Sequence, residues 1–134
     1  MEGIEQSFKW AVQALAQPAD VQPTLFPEFV VVADELAIDF GHWWEVYESR
    51  FGHLLSAEQH EKADMLNSML VEMSGPGKPE LWTDEGCLNH PKWSDVRQLA
   101  TDVLSSFEWP LIRPPSTRSL YAQYSPKTEL RPNE

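Results

Sequence analysis

Apolar residues along this chain recur at intervals of three and four rather than two, in segments separated by proline-bearing breaks. The first segment, residues 2–17, aligns Ile4, Phe8, Ala11, Val12 and Leu15 on one helical face. Pro18 and Pro23 then impose an extended connection. The second segment has the longest pattern: Phe29, Ala33, Leu36, Phe40, Trp43, Tyr47, Phe51 and Leu54. On a helical wheel these fall within about 80° of one another, with Trp44 at the edge of the stripe. Thr24 is placed to cap this helix, with Pro27 in its first turn, Glu28 near the positive end of its dipole and Gly52 as its stop. Gly41 falls mid-helix at a cost of about 1 kcal/mol against Ala, marking a kink or a close crossing.

Ser56-Ala57-Glu58-Gln59 is a capping box that starts a third helix, with Ala63, Leu66, Met69, Leu70 and Met73 facing inward. Ser74-Gly75-Pro76-Gly77-Lys78-Pro79 ends it. Residues 80–90 read as irregular or one short turn, because the helix start at Thr83-Asp84-Glu85 is cut short by Gly86. A fourth helix begins near Pro91 or Ser94, carries Val96, Leu99, Ala100, Val103, Leu104 and Phe107, and closes at Trp109-Pro110. Five prolines from Pro110 to Pro132 make the remainder an extended arm, with a short extended piece at Ser119 to Tyr124. The expected fold is therefore all-α: an antiparallel bundle of about four helices with a Pro-rich C-terminal arm. Residues 1–109 form the helical domain and 110–134 an arm packed on it.

Charge divides unevenly between these parts. Residues 1–109 carry 19 Asp and Glu against 6 Lys and Arg, whereas residues 110–134 carry 4 basic and 2 acidic residues. An anionic body repels nucleic acid and anionic lipid and steers toward cationic surfaces. Hydrophobic content of 42% and six tryptophans suffice for one packed domain of 134 residues. Cys87 is the single cysteine, which excludes an intrachain disulfide and reads as a small core residue. Met1 to Gln6 is acidic, without the basic region and apolar run of a secretory leader, and no 18 apolar residues run together. A cytoplasmic protein without a membrane partner is expected.

Motifs for catalysis are missing. Gly75-Pro76-Gly77-Lys78-Pro79 has a Gly-Lys pair but neither phosphate-loop spacing nor a following Ser or Thr. Neither G-x-S-x-G nor H-E-x-x-H occurs, and there is no Cys-x-x-C pair for thiolate zinc. His42 with Asp39 and Glu45, and His60 with Asp64, have helical spacing for a hard metal, but His42 and Glu45 point away from the apolar stripe. Glu45 with Glu48, and Glu58 with Glu61, read as solvated acidic flanks. No metal, cofactor or catalytic residue is expected.

Two features suggest contact with another macromolecule. Opposite the stripe of helix 2 lie Val31, Asp34, Ile38, His42, Glu45 and Ser49, so two aliphatic residues stand among polar ones. Either helix 2 is central and touched from both sides, or this face meets a partner. Trp82, in the acidic stretch Pro79 to Glu85, either plugs the open end of the bundle or anchors a basic partner. Trp93 and Trp109 bracket helix 4 and pin its ends. Arg113, Arg118, Lys127 and Arg131, with Tyr121 and Tyr124, can fold back on the acidic body.

In size, acidity, aromatic content and helical organisation, the chain resembles the immunity proteins that bacteria make against protein toxins. That resemblance lies in general character and transfers no site residue. It implies a stoichiometric inhibitor occluding a basic surface, often that of a nuclease, and acting as a monomer or dimer. The candidate contacts read from the residues are Asp34, Glu35, Ile38, His42 and Glu45 on helix 2, with Trp82, Asp84 and Glu85 from the loop. A DNA mimic or defence-system inhibitor is the alternative, and a metal-binding bundle or enzyme the second.

Overall fold

Fifteen residues near the amino end show how the fold is centred. In the computed structural model, which describes residues 2–117, helix α1 spans Glu2–Ala16. Ala11 to Gln17 are all buried, with no solvent-facing side among them. A helix enclosed on every side is a central element. It packs on α2 (Val32–Phe51) along one flank and on α5 (Pro91–Phe107) along another. Helix α3 (Ala57–Met73) packs on α5 and touches α2 more lightly, while α4 (Asp84–Asn89) joins the end of the assembly. The described residues are all-α, five helices with no strand. Helix α2 is touched by α1, α3 and α4, while Val31 and Ile38 on its opposite face stay exposed.

The aromatic side chains gather where α1, α2 and α5 meet. Phe8 has ring neighbours in Phe40 at 5.8 Å, Trp44 at 5.5 Å, Tyr47 at 4.8 Å, Phe107 at 5.8 Å and Trp109 at 5.8 Å. Trp44 is buried and its neighbour Trp43 half-buried, so the inner stripe of α2 runs through Phe40, Trp44 and Tyr47. At the end of α5 the chain turns through Glu108, whose φ of 58° is left-handed. The Glu108 and Trp109 amides bond back to Leu104, a Schellman-type close that lays Trp109 on Phe107 at 4.6 Å.

Helix 2 begins later than its apolar pattern suggests. Thr24 does not cap it: Thr24 lies in a 3-10 turn, Gln22–Leu25. Pro27 opens a further turn closed by the Val30 amide, and Val31 is extended before the helix starts at Val32. Phe29, expected on the inner face, is 78% exposed because it precedes the helical register. Leu54 is 69% exposed for a related reason. The chain tightens after Phe51 into the 3-10 turn Gly52–Leu54, whose three-residue repeat rotates Leu54 out and Leu55 in. Gly41 is neither kink nor close crossing, since an added Cβ would meet only Asn67 Oδ1 at 4.0 Å.

Residues 79–90 are more ordered than expected. A 3-10 turn, Pro79–Trp82, runs directly into α4, whose cap is the Thr83 hydroxyl accepting from the Gly86 amide at 2.9 Å. Gly86 does not break this helix; it lets the preceding turn lie against it. The capping box at Ser56 and Gln59 forms as its sequence predicts.

Amide side chains tie the segment after α5 to α1. Gln13 Nε2 donates to the Pro110 carbonyl at 3.1 Å, Gln17 Nε2 to Ile112 at 2.9 Å and Trp10 Nε1 to Pro115 at 2.7 Å. Thr117 bonds the Leu25 carbonyl through both its amide and its hydroxyl, each at 2.8 Å. Arg113 donates to the Thr24 hydroxyl rather than to a carboxylate. Dipoles, not opposite charge, hold residues 110–117. Arg118, Lys127, Arg131, Tyr121, Tyr124 and the extended piece expected at Ser119 to Tyr124 lie outside the described residues.

Candidate functional site

Helix α2 presents three surfaces to either side of its buried stripe, and the candidate contact residues divide among them. Towards α3, small side chains create space. Ala37 and Gly41 face Asn67 and Leu70 across a hollow of about 430 Å³, which Asp34, Ile38, Val71, Ser74 and Trp82 complete. Ile38 and Val71 are each 62% exposed, so an aliphatic side chain stands on either bank. Asp34 lines the hollow from the first turn of α2, where a carboxylate also complements the helix dipole.

Trp82 closes one end of this hollow and is half-buried rather than free. Its indole Nε1 donates to the Met73 carbonyl at 2.9 Å, and its ring meets Trp93 edge-on at 5.4 Å. Trp93 is buried and donates to the Leu81 carbonyl at 2.8 Å. Trp82 is fixed by its nitrogen and lines the end of the hollow.

The outer face of α2 carries Ile38, His42 and Glu45, all exposed, with the His42 ring against Trp43 at 4.6 Å. Asp84 has a different task. Its Oδ1 accepts from the Val32 amide at 3.1 Å, so it caps α2 from 52 residues further along the chain. The residue stays exposed while it holds this bond. Glu85 lies in a separate hollow with Glu80, Thr83, Gly86, Asn89, His90 and Pro91. Of the eight candidates, Asp34, Ile38 and Trp82 share one hollow; Glu35, His42, Glu45, Asp84 and Glu85 are not among its lining residues.

On the other flank of α2 a larger hollow, about 550 Å³, lies between α1 and residues 115–117. Trp10, Trp43 and Asp39 line it with Gln6, Ser7 and Gln13. In the sequence Asp39 stands out only by its metal-ligand spacing to His42. Burial pushes its carboxyl from the ordinary 3.8 up to about 6, with Glu35 adding to the rise and His42 opposing it. A folded-state value above the unfolded one means the folded chain binds a proton more tightly between about pH 4 and pH 6. Stability therefore falls as pH rises through that window and is level above it. Asp39→Asn should remove the fall, raising stability at pH 7 by about 1 kcal/mol after allowance for partial exposure. Melting temperatures taken from pH 4 to 7.5 should separate by about 2–4 °C at the upper end and converge at the lower. A separation independent of pH would contradict this assignment.

The remaining polar groups pair structurally. His60 Nε2 meets Glu48 Oε2 at 2.7 Å instead of Asp64, and its ring lies against Trp44 at 5.5 Å. Among the described residues no three His, Cys, Asp or Glu converge in metal-binding geometry. Gln22 is fully buried. Its amide donates to the Ala14 and Leu15 carbonyls, and its oxygen accepts from Arg97 at 3.2 Å and faces the Cys87 thiol at 3.8 Å. Burial pushes that thiol up to about 11, with Arg97 opposing, so Cys87 is protonated at neutral pH and serves packing. No helix of the described residues is long and apolar enough to cross a membrane. Compared with protein families, with curated proteins and with solved structures, the chain matches none of them.

Proposed function

We propose that this chain is a binding protein that neutralises a cationic protein partner by covering a basic surface, in the manner of a toxin immunity protein in the cytoplasm of the cell that makes it. The observation that carries the reading is the α2–α3 hollow: Ile38 and Val71 exposed on its banks, Trp82 at its end and Asp34 in its wall, on a chain of net charge −11. Aliphatic and aromatic area in a concave site supplies affinity, and surrounding charge supplies rate and orientation. Glu35, His42 and Glu45 on the outer face, with Asp84 and Glu85 beyond the hollow's end, contribute field rather than direct contact. Occlusion of this kind needs no reacting group.

The test is affinity capture from the organism that encodes the chain, with Ile38→Arg run in parallel. Ile38 is exposed, so the variant keeps the fold while placing a cation in the hollow. A basic protein retained by the parent chain, held about 100-fold less tightly by the variant, and inhibited in its own activity on binding, is the expected result. Equal retention by both chains would overturn the reading.

A further inference from the structure

The hollow between α1, α2 and residues 115–117 combines features that the neutralising reading does not use. Asp39 sits in its wall, half-buried, and among the described residues it forms no hydrogen bond and no ion pair. Among the described residues no buried side-chain oxygen is left without a partner, so the Asp39 oxygens keep contact with solvent, and Asp39 is one of the residues that line the hollow. Two indoles, Trp10 and Trp43, line the same space, and the other described lining residues are neutral: Gln6, Ser7 and Gln13 from α1, and Pro115, Ser116 and Thr117. Among the described residues the charges acting on Asp39 come from its own helix, Glu35 and His42, and no described Lys or Arg lines the hollow.

These walls are fixed. Trp10 is held at both faces of its role, its nitrogen on Pro115 at 2.7 Å and its ring edge-on to Phe26 at 5.7 Å. Gln13 is held by Pro110. Among its described lining residues, this partly dehydrated hollow carries one carboxylate and no cation, an arrangement that favours a positive charge. A metal ion would need several oxygen or nitrogen donors, which neutral indoles do not supply. A weakly hydrated, planar or alkylated cation needs only a counter-ion and aromatic faces.

We propose that this hollow is a binding site for an organic cation, a guanidinium or alkylammonium group, with Asp39 as its counter-ion and Trp10 and Trp43 as its walls. The site stands apart from the α2–α3 hollow and either can fail without the other. The same chemistry has two sources, a free small guanidine or an arginine side chain on another protein.

The experiment is an NMR titration of the full chain at pH 7.5, following the indole N–H signals of Trp10 and Trp43, with buried Trp93 as the internal reference. The probes are n-propylguanidine, the capped peptide Gly-Arg-Gly, and uncharged n-propylurea. Both cations should shift Trp10 and Trp43 saturably and leave Trp93 unmoved, and n-propylurea should bind at least about 10-fold more weakly. Binding of the small guanidine without the peptide assigns the site to a free ligand; binding of both assigns it to a docked side chain. Asp39→Asn should weaken either cation at least about 10-fold, and lowering the pH below about 6 should do the same to the parent chain. Arg118→Ala, which removes the next cation in the sequence, should leave the affinity unchanged. Equal binding of n-propylurea, indifference to Asp39→Asn, or binding only by the Arg118→Ala variant would overturn the proposal.

Discussion

Phe8→Ala is expected to cost about 3–5 kcal/mol of stability, the largest loss from any single aromatic truncation in this chain. Phe8 is fully buried and is the residue through which α1, α2 and α5 share rings. Removing it leaves a cavity facing Phe40, Trp44, Tyr47, Phe107 and Trp109. Those rings sit on α2 and at the end of α5, are packed against other core residues and cannot collapse into the gap together, so the cavity persists and its full penalty applies. Urea denaturation should show the midpoint falling with little change in slope, because the same surface is exposed on unfolding. Phe8→Leu, which retains most of the volume, should lose less than half as much. Equal losses from the two variants would mean that the ring geometry, not the filled volume, holds the site.

Which features could be read from the residues follows from the distance over which their causes act. The capping box at Ser56 is a contact between neighbours in sequence, and it formed as written. The helical periods of α1, α3 and α5 also follow from local spacing, and their inner residues are buried, with Ile4 and Met69 half-buried. The start of α2 has a remote cause. Its cap is Asp84, and no window around Val32 contains that residue. Deprived of this information, the pattern extended back through Phe29 to Thr24, across prolines that the chain uses for two turns. The central position of α1 is remote in the same sense. Gln13 and Gln17 look like a polar flank, yet both are buried because residues 110–112 come back to accept their amide hydrogens.

The candidate site was legible as a face but not as a shape. Exposed Ile38 beside Asp34 followed from helical arithmetic on α2 alone. The bank opposite, Val71, belongs to the outer side of α3, and only packing brings it to Ile38. Asp39 shows the limit most clearly. On a wheel it lies beside the apolar stripe with nothing to mark it, and its dehydration arises from Trp10, Trp43 and residues 115–117, which come from three parts of the chain.

Gly86→Ala is the second large effect, about 2–4 kcal/mol, and it tests whether the end of the molecule is one unit. A Cβ on residue 86 would lie 2.0 Å from the Glu80 carbonyl oxygen and 3.2 Å from Thr83 Oγ1. The obstacle at 2.0 Å is backbone, so no rotamer change relieves it; the 79–82 turn or α4 must move. Several contacts depend on that turn. Leu81 is buried and accepts from Trp93, Trp82 donates to Met73, and Asp84 at the start of α4 caps α2. Displacement should therefore reach the α2–α3 hollow, altering the fluorescence of Trp82 and loosening amide protection at Val32 in hydrogen exchange. Gly41→Ala is the matched control: its Cβ meets nothing closer than 4.0 Å, and the helix gains about 0.5–1 kcal/mol from the loss of a mid-helix glycine. If Gly86→Ala were as harmless as Gly41→Ala, the turn and α4 would not be rigidly apposed, and the wall that Trp82 gives the hollow would not be fixed in place.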